Sequence, residues 1–504
     1  MRKIRDSREF AQECQLLRRR ASLAEKVINW CGPVPGLIQA AGMLPGGLST
    51  VDSFVVATPQ VQDFQFEGQA WCQRYLKFII IVFALNIISA ALFIGFVDRP
   101  VYDDQYNIFD VQSYAHKGLS AATVLSHRNP PGPTSFLWMA AGVDLLGGNE
   151  LRDARIAVLL SWVLLFVGIL VGARYSSFPQ IWYGALLAAL VFPHSVTATA
   201  TALTEGPALL FATLGALTWI ETASRPTATP TFLLLGILGG LSMGIAVTCR
   251  QYYLALLPAA ALFALFQSRG QDSKQKLPRS LGMVLSLGVA SAPVILLIMV
   301  WRGISSPGMA TGTSYHIYKA GVGLNPFRPI VAAFYSCFYL APLTFPALKH
   351  LRRGARWPAL LVASISGVVA AYFRSSLLQP GPLHTVVQTA SRLPAGEFIL
   401  FGLTDTLTFY NAIAVGLLLW QKRDIVLSCP PLLFALLTVV FFIAEQLGVG
   451  GNLPLYDRYL LQLAPFLGIL AFSLTPRLTT ARLLALAALS AVSHVMLWRY
   501  AFGT

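Results

Sequence analysis

Several windows of this chain run for about 18 to 20 residues without an ionisable side chain, among them Phe78 to Val97, Ile156 to Ala173 and Gly282 to Trp301. As a helix, each can cross about 30 Å of hydrocarbon. Only 12% of the 504 residues are charged and 55% are hydrophobic, against roughly 25% charged in a soluble domain, so a soluble protein could not keep this surface wet. The chain reads as an all-α, polytopic membrane protein. That excludes a soluble enzyme, a secreted disulfide scaffold and a disordered chain.

The formal net charge of +15 would suggest nucleic acid in a soluble protein. In a membrane protein the placement of Lys and Arg relative to the bilayer carries the information instead, and no nucleic-acid partner is implied. Cys14, Cys31, Cys72, Cys249, Cys337 and Cys429 show no CxxC or Cys/His clustering, so neither a zinc site nor a disulfide framework is indicated. The first strongly apolar stretch begins near Phe78, too far along for a cleavable signal peptide, and is expected to be a retained span.

Residues 1–75 form the one long hydrophilic region, expected to stay in the cytosol, ahead of a transmembrane domain over 76–504. Phe10, Cys14, Leu17, Ala21, Ala24 and Ile28 fall on one helical face beside Arg18 to Arg20, the pattern of an amphipathic helix that lies on a membrane or packs on a partner. Beyond the first span, apolar segments occupy approximately 156–173, 181–193, 206–220, 231–248, 252–267, 282–301, 329–348, 358–373, 399–420, 425–443, 459–474 and 483–498, about thirteen spans in all. The segment Ser135 to Gly148 is short, contains Asp144 and ends in Gly-Gly. If it lies at the interface, the basic clusters Arg269/Lys274/Lys276/Arg279, Lys349/Arg352/Arg353/Arg356, Lys422/Arg423 and Arg477/Arg482 share the side of the basic amino terminus, as cytosolic loops should. Residues 98–155 then become one long external loop, on the lumenal or outer face, joined there by 194–205, 249–251, 302–328, 374–398 and 444–458. A plasma membrane or an endoplasmic reticulum membrane fits equally.

The external loops hold the chemistry-bearing residues. Asp103 and Asp104 follow the first span closely; one of them suits a general base that takes a proton from an attacking hydroxyl, and a helix start with Asp as its cap is the plainer alternative. Gln112, Tyr114 and His116 follow in the same loop, then Pro130-Pro131-Gly132-Pro133, either a rigid turn held over a cavity or a connector before a helix. Glu205 and Arg250-Gln251 sit where spans meet the external face; such charges are functional candidates or snorkelling interfacial groups. Arg250 offers a planar fork of donors suited to a phosphate. Arg458, in Leu455-Tyr456-Asp457-Arg458-Tyr459-Leu460-Leu461, would give a second phosphate contact or pair with Asp457. Asp405, the one acid inside an expected span, reads as a hydrogen-bonded packing residue. His316 and His384 have no ligand spacing, so no metal is implied, and no cofactor either.

The order of these features resembles the GT-C superfamily of membrane glycosyltransferases, which take sugars from polyprenyl-phosphate carriers. The pattern is most similar to the enzyme family that adds the terminal α-1,2-glucose to the lipid-linked N-glycan precursor from dolichyl-phosphate-glucose. Val101-Tyr102-Asp103-Asp104 matches its Tyr-x-Asp-Glu-type motif, Gln112-Ser113-Tyr114 its Gln-x-Tyr, Pro131-Gly132 its turn, Thr204-Glu205 its Thr-Glu, Cys249-Arg250-Gln251 its Phe-Arg-Gln and Arg458-Tyr459 its Arg-Tyr. The second acid is Asp where the family has Glu, Cys249 stands for Phe, and residues 1–75 have no counterpart. The resemblance covers about 76–475. It implies a GT-C-type bundle and an inverting hexosyl transfer, with Asp103 as base, Asp104 and Glu205 on acceptor or sugar hydroxyls and Arg250 and Arg458 on phosphate. Gln112, Tyr114, Gln251 and Tyr459 would line the substrates: a polyprenyl-phosphate-linked sugar and a glycan or lipid-linked acceptor.

A secondary transporter of a polar or anionic solute is the alternative, and a noncatalytic scaffold a third. Topology gives the first test. A cysteine introduced at Asp144 should react with a membrane-impermeant maleimide added from the external face and one at Arg353 should not; labelling of both from the same face overturns the interfacial assignment of 135–148.

Overall fold

The computed structural model describes residues 59–101, 103–129, 132–224, 230–268, 273–303, 306–308, 324–344, 351, 353–372, 391–448, 457–474 and 479–502. The amphipathic helix expected around Phe10 to Ile28, together with His316 and His384, lies outside them. Residues Glu67–Thr504 form one compact unit, and every regular element among the described residues is helical.

The first helix, α1 (Pro59–Phe96), leads to α2 (Asp104–Lys117), the short α3 (Ala121–Leu125) and α4 (Pro133–Leu146). The latter three occupy the loop expected between the first two spans. The fourteen residues of α4 reach only about 21 Å, too short to cross a bilayer. Gly147, in the left-handed region at φ 63°, stops the helix, as glycine can without steric cost.

The bundle continues through α5 (Glu150–Tyr175), α6 (Pro179–Val191), α7 (Ser195–Ala200), α8 (Glu205–Ser224), α9 (Pro230–Cys249), α10 (Leu256–Ser268) and α11 (Ser273–Trp301). After these come α12 (Phe327–Thr344), α13 (Arg353–Tyr372), α14 (Gly396–Gln421), α15 (Arg423–Ser428), α16 (Pro430–Glu445), α17 (Ala464–Leu474) and α18 (Thr480–Phe502). Among the described residues, seven stretches are long and apolar enough to cross a membrane: Tyr75–Phe96, Glu150–Tyr175, Thr231–Cys249, Ser280–Trp301, Gly354–Tyr372, Gly396–Gln421 and Thr480–Phe502. The protein is a multi-pass, all-α membrane protein. Several expected spans are shorter helices with breaks: Gln251–Ala255 and Asp457–Gln462 are 3-10 turns, and the stretch 425–443 is divided at Cys429 between α15 and α16.

Burial separates an inner from an outer set. Nearly every residue of α6 and α8 is buried, whereas α1, α11 and α13 present exposed residues such as Ile81, Val284 and Ile365, as lipid-facing helices do. Because lipid is as apolar as leucine, helices associate through close approach of small residues. On α9, a Cβ on Gly240 would meet the Ser286 carbonyl oxygen of α11 at 2.3 Å, and one on Gly244 the Ala290 carbonyl oxygen at 2.2 Å. Any side chain at these positions forces the two backbones apart. Gly240→Leu should therefore cost about 1–3 kcal/mol and lower the melting temperature in detergent, while Gly288→Leu, with open space around its Cβ, should not. Equal melting temperatures for the two variants contradict the proposed packing.

Candidate active site

The site is assembled from helix ends, and the start of α2 anchors it. Asp104 is fully buried and pairs with Arg155 of α5 at 2.6 Å. The Arg155 guanidinium donates further to the carbonyls of Val97 and Arg99, closing the loop that leaves α1. The other Asp104 oxygen accepts the Ala202 amide at 2.6 Å, and Asn107 donates to the Ala202 carbonyl at 2.8 Å. Burial pushes the Asp104 carboxyl up; Arg155 and the amides of Ala202 and Val101 draw it back. All of this fixes the segment that leads into Glu205.

Asp103, one residue earlier, turns the other way and binds Arg458 at 2.5 Å. The adjacent acids therefore do not share a site: each has its own arginine, on different elements. Arg458 pairs with this distant acid, not solely with a neighbour in its own motif. Glu205, at the start of α8, pairs with Arg250, which follows α9. Tyr459 joins the two pairs, its ring centroid lying 5.4 Å from the Arg250 guanidinium and 5.2 Å from that of Arg458, within cation–π range. Tyr252 packs on Tyr459 with centroids 5.0 Å apart. The result is a chain of four charges, Asp103, Arg458, Arg250, Glu205, with the acids at its ends and the two guanidiniums between them around one aromatic ring. Side-chain exposure is 34% for Asp103, 10% for Arg458, 8% for Arg250 and 1% for Glu205, so the carboxylate at one end faces outward and the rest face inward.

The Pro-Gly turn positions Arg250. The Gly132 amide donates to the Cys249 carbonyl at 3.0 Å, and a Cβ on Gly132 would fall 1.9 Å from the Thr248 carbonyl oxygen, so only glycine lets the turn approach. The start of α4 is stitched on both sides: the Ser135 hydroxyl donates to the Thr204 carbonyl at 3.2 Å, and the Thr134 and Thr248 hydroxyls lie 2.8 Å apart. Thr204 precedes Glu205 and Thr248 lies two residues before Arg250, so one short turn registers both members of the inner pair.

Other residues singled out in the sequence fall elsewhere. Gln112 donates to Glu150 at 2.5 Å, and Tyr114 is buried against His127. Both lie eight or more residues along α2 from Asp104, about 12 Å or more away, and the structure does not bring them to the cluster. Gln251 opens the 3-10 turn after Arg250. Asp405 is 1% exposed with neither carboxyl oxygen hydrogen-bonded, which corrects its reading as a hydrogen-bonded packing residue.

Two residues went unnoticed in the sequence. Arg155 looked like a loop-edge cation and is instead buried with Asp104. His194, beside the short α7, lines a narrow cleft together with Thr197, Glu205 and Arg458. The sequence signal for the cleft was the hydroxyl-rich run His194 to Thr204 in an otherwise aliphatic neighbourhood.

No family model and no curated protein matches the chain. Similarity to solved structures is found for the S. cerevisiae protein O-mannosyltransferase Pmt1-Pmt2 complex bound to the sugar donor, at 14% identity over 47% of this chain and 35% of that chain, TM-score 0.34. ArnT from Cupriavidus metallidurans bound to undecaprenyl phosphate is 15% identical over 83% of this chain and 77% of that one, TM-score 0.37. The Archaeoglobus fulgidus oligosaccharyltransferase in complex with Zn and sulfate is 12% identical over 74% and 54%, TM-score 0.31. The chain thus spans about a third of the Pmt1-Pmt2 chain and about half of the oligosaccharyltransferase chain it matches.

Removing one member of a buried ion pair strands the other, at about 3–5 kcal/mol. Arg155→Met and Asp104→Leu should each lower thermal stability by that order, and the double variant by less than their sum, measured as a double-mutant cycle in detergent. Strict additivity would show that the two side chains do not depend on each other.

Proposed function

We propose that the protein is an integral-membrane glycosyltransferase of the GT-C type, which moves a hexose from a polyprenyl-phosphate carrier to a hydroxyl acceptor on the external or lumenal face. The observation that carries this reading is the Asp103, Arg458, Arg250, Glu205 chain: an outward-facing carboxylate in direct contact with a guanidinium whose neighbour, across Tyr459, is a second guanidinium. Such a transfer needs a base on one side of the anomeric carbon and cations where charge develops on the departing phosphate.

The acceptor hydroxyl gives its proton to Asp103 as its oxygen bonds to the anomeric carbon. The bond from that carbon to the phosphate oxygen breaks with its electron pair on the phosphate, and the sugar inverts. Arg458 and Arg250 hold the phosphate; Arg250 retains an Nε without a hydrogen-bond partner. Glu205 orients Arg250 and reaches the sugar. Asp104 acts as a positioning residue, since Arg155 and two backbone amides occupy its carboxylate. The motif order favours dolichyl-phosphate-glucose as donor and a lipid-linked glycan as acceptor. Gln112 and Tyr114 have no role in this step.

The second reading, a secondary transporter, has one observation in its favour. Arg250 and Arg458 both lie at helix breaks, where transporters place their sites. Against it, Asp103, Glu205, Arg250 and Arg458 gather at helix ends, whereas secondary transporters place their sites near the bilayer midplane.

Asp103→Asn should lower sugar transfer from a radiolabelled polyprenyl-phosphate hexose in membranes by about 10²- to 10⁴-fold, with unchanged protein abundance. Full transfer by this variant would falsify the assignment of the base. Uptake of a labelled solute by vesicles, without transfer, would favour the transporter.

A further inference from the structure

The short α7 and the residue before it are built of polar side chains buried among aliphatic ones. Ser195, Thr197, Thr199 and Thr201 are each 1% exposed or less. Three of their four hydroxyls are used within the protein: Ser195 donates to the Leu190 carbonyl at 2.7 Å, Thr199 to the Ser195 carbonyl at 2.7 Å and Thr201 to the Thr197 carbonyl at 2.6 Å. Thr197 Oγ1 has no partner, and neither does Glu205 Oε2. Both residues line the cleft that His194 and Arg458 also line. A buried polar atom without a partner bears its full desolvation penalty, and such atoms converging on one cleft mark a place where a ligand supplies the missing bonds.

We propose that this cleft is the sugar subsite of the donor and that Thr197 and His194 help to set which hexose it accepts. The inference rests on the glycosyltransferase reading and names the part of that site which meets the sugar. The chemistry points to a neutral polyhydroxyl group beside an anion. Glu205 Oε2 can only accept, so it repels a phosphate and suits a hydroxyl donor; the Thr197 hydroxyl both donates and accepts, and an imidazole does either. Arg458 lines the same cleft and also touches Asp103. A phosphate held there places the attached ring in the cleft and its anomeric carbon toward the base. The cleft is too narrow for a water molecule in this structure, so water cannot satisfy these atoms and its walls must part to admit a sugar.

The test measures binding of phytanyl-phosphate-glucose, phytanyl-phosphate-mannose and sugar-free phytanyl phosphate to the purified full-length protein. Thr197→Val should weaken binding of the preferred sugar-bearing probe about tenfold, the scale of one lost buried hydrogen bond, and leave phytanyl phosphate unchanged. Thr197→Ser, which keeps the hydroxyl, should restore binding, and His194→Gln should alter the ratio between the two sugar probes. Thr197→Ala, also lacking the hydroxyl, repeats the test where valine does not fold. Equal losses for all three probes, or no loss for any, overturn the subsite. Wild-type protein that binds none of the probes overturns the glycosyltransferase reading itself, and the two failures are thereby distinct.

Discussion

The candidate site of this protein depends on the buried pair between Asp104 and Arg155. The region 98–132 passes from a membrane span through two short helices, and such a segment has little aliphatic surface with which to fix its own position. A carboxylate with no exposed surface cannot drift, because every alternative strands a charge in a low-dielectric interior. Through one side chain Asp104 ties the exit of α1, the start of α5 and the Ala202 backbone. Asp103 and Glu205 are within a few residues of those ties, and the turn that reaches Arg250 is joined to them through the Ser135 hydroxyl, which donates to the Thr204 carbonyl.

Given that anchor, the remaining charges have few options. Glu205 and Arg250 are both buried, so each requires the other. Arg458 pairs with Asp103, the exposed end of the series. The Tyr459 ring makes two like-charged guanidiniums compatible as neighbours by offering its negative face to both. The same geometry makes the chain responsive. Its inner pair is shielded, with side chains 8% and 1% exposed, while Asp103 in the outer pair, 34% exposed, can exchange partners with a solute.

Much of this was legible in the sequence, and what was missed has a common cause. The apolar windows fixed helices and their approximate ends because hydrocarbon thickness sets a length that composition reveals directly. Asp103, Glu205, Arg250 and Arg458 stood out because charges near span ends are costly. Their pairing was not legible: Arg458 has an acid beside it in sequence yet binds one 355 positions away, and only the bundle's order determines which arginine meets which acid. Gln112 and Tyr114 were drawn to the site by motif order, although helical rise carries them away from it. Arg155 was overlooked because a cation at the edge of a span looks the same whether it faces lipid headgroups or a buried carboxylate. Arg250 and Arg458 were legible as junctions between apolar segments; the 3-10 turns Gln251–Ala255 and Asp457–Gln462 beside them were not, because their apolar residues read as the start of the next span.

The charge balance gives the proposed reaction a further physical rationale. On the sequence-derived topology, 24 of the 37 Lys/Arg and 10 of the 22 Asp/Glu are cytosolic, so the basic excess orients the protein and leaves the external side nearly neutral. The four-residue site is itself balanced, two guanidiniums against two carboxylates. During transfer the donor's phosphodiester, with one negative charge, becomes a phosphomonoester that can carry two, while Asp103 changes from negative to neutral as it takes the acceptor's proton. The site's total charge is unchanged, and the negative charge moves from one side of Arg458 to the other. In a partly buried cluster, where uncompensated charge is expensive, a guanidinium touching both the base and the phosphate lets charge shift across the site without ever accumulating. That requirement explains why the base should be the acid bound to an arginine of the site and why its neighbour Asp104, committed to Arg155, would serve poorly in the same role.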